Sequence, residues 1–184
     1  NLSAENKIFQ LRSKNFKVNI LRNSTLFGFS NSMRLDLVIN IYVYNLIKGK
    51  KIIVDGDGRQ WRPFISVNDI CKIYNYVLTK KKLPSFKCNL VAFNSTVKEI
   101  LNEILKVLPS SRNITIFNNK NFDKRNYKVG SKVFKKYFKN FRFTVFSKEI
   151  NNLKKKMISN KTVKNKKNIR VLFYKKFFSK NASK

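Results

Sequence analysis

Any chemistry in this chain must be done without histidine, because the sequence contains none. That removes the usual general base at neutral pH, the Ser-His-Asp and Cys-His arrangements, and imidazole metal ligands. The two cysteines, Cys71 and Cys88, form no Cys-x-x-Cys spacing, which argues against a zinc ribbon or a disulfide-stapled scaffold and leaves both as buried small residues. No Gly-x-Gly-x-x-Gly occurs, and Gly56-x-Gly58 is followed by no helix start, so the chain carries no dinucleotide-binding fingerprint. Arg62 follows the double turn Asp55-Gly56-Asp57-Gly58 and precedes Pro63. A guanidinium stays charged and donates in a planar fork, which suits phosphate.

The positive charge is large but is weak evidence for a polyanion partner. Of 184 residues, 41 are Lys or Arg and 9 are Asp or Glu, a net +32. The cations are 32 Lys and only 9 Arg, and Lys, Asn, Ile, Phe and Tyr together make up 98 residues, against 3 Ala, 5 Gly and 3 Pro. Those five abundant residues are read from A/T-rich codons, so codon drift accounts for most of the excess. A surface built to grip nucleic acid would be richer in Arg. The charge is also uneven: residues 118–184 hold 22 basic and 2 acidic side chains. From about Lys154 the sequence reads as a solvated, frayed Lys-rich tail. A basic nucleic-acid-binding protein that uses this back third is the alternative reading, although no nucleic-acid motif accompanies it.

The elements that must position Arg62 follow from patterning. Residues 2–14 and 34–48 show helical spacing, the second with Leu35, Ile39, Val43 and Leu46 on one face. Residues 17–22 alternate as a short strand, and a loop runs from Asn23 to Ser32. Ile52-Ile53-Val54 and Phe64-Ile65 read as extended pieces, Asn68 as the cap of a helix reaching Thr79, and Cys88 to Phe93 as a strand. Thr96-x-x-Glu99 is a capping box, with Ile100, Ile104 and Leu108 on the buried face behind it. A strand at 113–117 and helices capped by Ser131 and Ser147 complete an alternating α/β pattern. The strands near 17–22, 87–93 and 113–117 are expected to share one sheet. Residues 1–15 lack an apolar core, and the longest apolar stretch, Val38 to Ile47, is about half of the ~20 residues a bilayer span needs. A cytoplasmic protein with no membrane partner is expected.

Four segments in fixed order carry a resemblance: VNILRNSTLFG (18–28), MRLDLVIN (33–40), IIVDGDGRQWRPFISVNDI (52–70) and DKRNYKVGSK (123–132). This order resembles the C-terminal half of the NAD-dependent epimerase/dehydratase family, the extended short-chain dehydrogenases that act on nucleotide-sugars. The resemblance covers about residues 1–153, leaving 154–184 as the tail. It implies an α/β fold that lacks its N-terminal Rossmann βαβ half. In the family that half binds NAD or NADP through a glycine-rich loop and supplies a catalytic Tyr-x-x-x-Lys. Ala4-Glu5 matches the pair that follows the family's Lys, so both catalytic residues would fall at or before Asn1, and neither they nor the loop is expected here. Partners implied are a nucleotide-sugar, a missing Rossmann half or a second copy of the chain. Substrate-side positions map onto Thr25, onto the helix start from Arg34 to Leu37, onto Arg62 for the diphosphate, and onto Asp123 and Arg125 for ribose and phosphate. Arg22 and Asp69 read as structural, and Trp61 as packing.

Without the proton-transfer pair, residues 1–184 are expected to show no NAD(P)-dependent turnover of UDP-, dTDP- or GDP-hexoses. Turnover above a boiled control would contradict that reading.

Overall fold

The structure is a computed structural model that describes residues 2–31, 33–80, 82–109, 115–118 and 125–159. In chain order its elements are α1 (Leu2–Gln10), β1 (Asn19–Asn23), β2 (Thr25–Phe27), α2 (Val38–Ile47), β3 (Ile52–Asp55), β4 (Trp61–Ser66), α3 (Val67–Thr79), β5 (Phe86–Leu90), β6 (Phe93–Thr96), α4 (Val97–Val107), β7 (Thr115–Asn118), α5 (Lys132–Tyr137) and α6 (Phe146–Ser159). The predicted α/β alternation is present.

The strands form three small sheets among the described residues. β1 pairs in parallel with β5, with Asn19 opposite Phe86. β4 lies between β2, its parallel neighbour, and β6, its antiparallel one. β3 pairs in parallel with β7. The expected single sheet is therefore corrected: 17–22 and 87–93 do pair, but the strand near 115 lies beside β3. The predicted 87–93 strand is also two strands, which split at Val91 and join different sheets.

β4 explains the layering. A central strand buried on both faces reads as a continuous apolar run, not an alternating one, and Pro63, Phe64 and Ile65 are all buried. Neighbouring side chains on a strand point to opposite faces. Phe64 accordingly enters a core with Ile39 and Val43 of α2, Ile100 and Ile104 of α4, and Ile150 and Leu153 of α6. Ile65 enters a second core with Ile70 and Ile73 of α3, Phe86 and Leu90 of β5, and Phe134 and Phe138. Aromatic residues from 134 to 143 pack as a ring cluster in the second core; Phe134 stacks on Phe138 with centroids 4.6 Å apart.

The helix starts depart from the sequence reading in an instructive way. The Thr96–Glu99 capping box forms as predicted: the Glu99 N–H donates to Thr96 Oγ1 at 3.1 Å, and Glu99 Oε2 accepts from the Thr96 N–H at 2.9 Å. α3, however, is capped by Ser66, whose Oγ accepts from the Asp69 N–H at 3.0 Å. Asn68 lies inside the helix and donates to Glu149 at 3.0 Å instead. Ser131 stands at the start of α5 without a capping bond, and Ser147 lies one residue inside α6. Cys88 is buried as expected, but Cys71 is exposed. α6 runs across the 153/154 division to Ser159 with Met157 buried, while residues 160–184 of the predicted tail lie outside the described residues. No described helix is long and apolar enough to cross a membrane.

Asp69 is 1% exposed and accepts from the Thr144 hydroxyl at 2.7 Å and from its backbone N–H at 3.1 Å. Asp69→Ala leaves those donors without partners and should cost about 2–4 kcal/mol in urea unfolding. Glu103→Ala, which breaks only an exposed pair with Lys106, should cost less than about 0.5 kcal/mol.

Candidate functional site

The C-terminal ends of β1 and β2, the start of β4 and the loop into α2 surround an open cavity of about 680 Å³. Ser24 carries the chain between the first two strands, its N–H donating to the Leu90 carbonyl at 3.1 Å. Gly28 then turns the chain at φ +118°, where a side chain would be strained. Asn40, buried on α2, holds both ends of the following loop: its Oδ1 accepts from the Gly28 N–H and its Nδ2 donates to the Arg34 carbonyl, each at 3.0 Å. The α2 N-terminus opens at Leu37, an extended residue with no side-chain cap.

Five of the six sequence-predicted site residues line this one cavity: Thr25, Arg34, Leu37, Arg62 and Arg125. Asp123 lies outside the described residues. Arg62 is 8% exposed. Its Nη1 donates to the Trp61 carbonyl at 2.8 Å and to the Arg125 carbonyl, and its guanidinium lies 5.7 Å from the Tyr127 ring centre. Arg34 donates from Nε to Asp36 at 3.1 Å. Trp61 has a surface cation over it, with Lys128 Nζ 3.5 Å from its ring centre.

Other lining residues escaped the sequence reading. Arg22, read as structural, does have a structural partner: its Nε donates to Glu5 at 2.9 Å. It nevertheless also lines the cavity, as do Asn23, Asn89 and Tyr127. The one available signal for Asn40 was an amide in the middle of the longest apolar stretch.

The lining is chemically lopsided. It contains four arginines and, among the described residues, no lysine, carboxylate or cysteine. The whole chain has 32 lysines and 9 arginines. Such a site can bind and orient an anion through planar forks, with amides and hydroxyls beside them for neutral oxygens. It offers no carboxylate or amine to shuttle a proton. The Tyr-x-x-x-Lys spacing, expected to be absent, does occur twice in the sequence, at Tyr44/Lys48 and Tyr76/Lys80. Both pairs sit at the C-terminal ends of helices, and neither lines this cavity. No glycine-rich turn joins a strand to a helix start among the described residues.

Residues 4–89 match the model of the NAD dependent epimerase/dehydratase family. The match covers a little under half of the chain. The fold resembles dTDP-glucose 4,6-dehydratase from Bacillus anthracis, solved with NAD, at 21% identity and TM-score 0.69, covering 86% of this chain and 50% of that one. It also resembles UDP-N-acetylglucosamine 4-epimerase from Methanobrevibacter ruminantium, solved with UDP-N-acetylmuramic acid, at 19% identity and TM-score 0.68, covering 85% and 50%. The third is UDP-glucose 4-epimerase from Thermotoga maritima, solved with UDP-glucose, at 15% identity and TM-score 0.69, covering 86% and 52%. The chain spans about half the length of these structures. The resemblance to extended short-chain dehydrogenases read from the four segments holds at the level of fold.

The Arg22 guanidinium bonded to Glu5 holds that carboxyl below its ordinary 4.5. A lowered folded value means the pair's contribution is complete above about 4.5 and is lost as pH falls through the folded value. Amide exchange in α1 relative to α2, which contains no carboxylate, should therefore rise as pH falls below 4.5 once corrected for intrinsic rates, and Glu5→Gln should flatten that rise.

Proposed function

We propose that this chain is the nucleotide-sugar-binding portion of an NAD(P)-dependent sugar-nucleotide epimerase, dehydratase or reductase, equivalent to the C-terminal half of such an enzyme and inactive alone. The observation that carries this reading is the selection of arginine over lysine at the cavity. Four of the 9 arginines line it, and none of the 32 lysines does so among the described residues. Codon bias toward Lys explains a diffuse charge; it does not explain arginines gathered where lysine is excluded. Bidentate donors at fixed positions suit a diphosphate, and the Asn and Thr side chains beside them suit ribose and sugar hydroxyls.

In this reading Arg62 and Arg125 grip the diphosphate, Thr25 and Asn89 lie toward hydroxyl-bearing groups, and the uncapped α2 start at Leu37 adds a favourable dipole. The cofactor loop and the Tyr-Lys pair come from a Rossmann half or a partner subunit in the cytoplasm. The exposed apolar side chains of α1 and its exit, Leu2, Ile8, Leu11 and Phe16, fit a surface completed by that half.

Titration calorimetry with UDP, dTDP and GDP tests the reading. A charge-assisted Arg–phosphate contact contributes about 1.5–3 kcal/mol. Arg62→Ala should therefore weaken diphosphate binding about ten-fold or more, since ~1.4 kcal/mol is ten-fold. Arg62→Lys should recover only part, while Arg59→Ala, on the exposed turn, should change little. Binding that depends on Arg59 and not on Arg62 would overturn the assignment.

A further inference from the structure

Three of the residues that face the cavity, Arg125, Tyr127 and Val129, ride on an extended segment, 125–130, that belongs to no helix or strand. Only Val129 in it is half-buried; the rest is exposed. Apolar packing therefore does little to fix the segment, and polar bonds must. Its two ends differ. Near Trp61 the contacts are the Trp61 N–H to Asn126 Oδ1 at 2.9 Å and a longer Tyr127 N–H to the Trp61 carbonyl at 3.4 Å. At the half-buried point Asn94 uses its whole amide: Oδ1 accepts from the Val129 N–H at 2.8 Å and Nδ2 donates to the Val129 carbonyl at 3.1 Å. The Asn94 side chain thus satisfies both backbone groups of one residue, as a neighbouring strand would. Asn94 is itself held in β6, opposite Pro63 in β4, the residue after Arg62. It does not line the cavity.

From this geometry we infer that Asn94 is a positioning residue: its amide clamps the 125–130 segment as a wall of the cavity and thereby sets Arg125 and Tyr127 for the diphosphate. Neither a core contact nor an ion pair of Asn94 competes with that role. The clamp also ties the wall to Arg62, since Arg62 Nη1 donates to the Arg125 carbonyl. The ligand part of the inference rests on the proposed nucleotide-sugar reading; the clamp itself does not.

The chain's single tryptophan, Trp61, touches the segment and reports on it without any ligand. Asn94→Ala, in the full chain, should raise acrylamide quenching of Trp61 about two-fold, because local opening needs few buried contacts to be lost. It should also weaken inorganic pyrophosphate binding about ten-fold, read by calorimetry at about 0.3 M salt to suppress lysine capture. Asn94→Gln, which keeps both amide groups one methylene further out, should recover part of both effects, whereas a purely structural residue would lower the melting temperature without this rescue. Unchanged quenching in Asn94→Ala overturns the inference. Raised quenching with unaltered pyrophosphate affinity overturns the link from clamp to site. If the unsubstituted chain binds pyrophosphate no better than Arg62→Ala, the diphosphate reading fails, and Trp61 quenching alone still decides whether Asn94 holds the wall.

Discussion

A carboxylate sealed from water organises this molecule. Asp69 sits in the first turn of α3, where the helix dipole favours negative charge. It accepts both the N–H and the hydroxyl of Thr144, with Lys72 Nζ 3.4 Å away. A buried charge is tolerable only when it is paired and hydrogen-bonded. The chain around residue 144 is therefore not free to choose its place. Glu149, also buried, takes the neighbouring Asn68, so the start of α3 fixes both the approach to α6 and α6 itself. β4 passes straight into α3 at Ser66, which places Val67 on the cavity lining. The floor of the site thus inherits its rigidity from a contact made on the far side of the helix start.

The local signals in the sequence were sound where one element decides its own form. The Thr96–Glu99 box needs only four residues, and the face of Ile100, Ile104 and Leu108 needs only one helix. Arg62, Arg34 and Arg125 could be named because the four segments carry their spacing. What could not be read was pairing. β2 is three residues long and exists because β4 lies beside it. The strand near 115 was assigned to the wrong sheet because nothing local distinguishes β3 from β5 as a neighbour. Ser66 and Asn68 are both good caps by type; the structure chooses Ser66 because Glu149, some 80 residues on, engages Asn68. Asn40 and Asn94 act entirely through backbone groups brought near by folding, so their residue type alone announced nothing.

The charge of this chain has two layers. Lysine is spread over the surface, often with its ammonium over an aromatic ring, as Lys87 Nζ lies 4.9 Å from the Phe9 centroid. An ammonium so placed is a compact, well-hydrated point charge that sets no geometry. The cavity arginines differ in kind: Arg62 is buried and bonded to carbonyls, while the more exposed Arg22 and Arg34 are each paired with a carboxylate. A net charge of +32 therefore says little about what the protein recognises, while four side chains say a good deal.

The two cysteines have been separated by the fold into unlike environments. Burial on β5 pushes the Cys88 thiol up to about 11, so almost none of it is thiolate at neutral pH. Cys71 stands exposed on α3 and lines none of the cavity. A maleimide reagent would meet one reactive sulfur and one shielded one. The native sequence therefore carries a ready attachment point for a spin label or fluorophore, on the helix whose first residue touches the cavity and without any substitution in its lining.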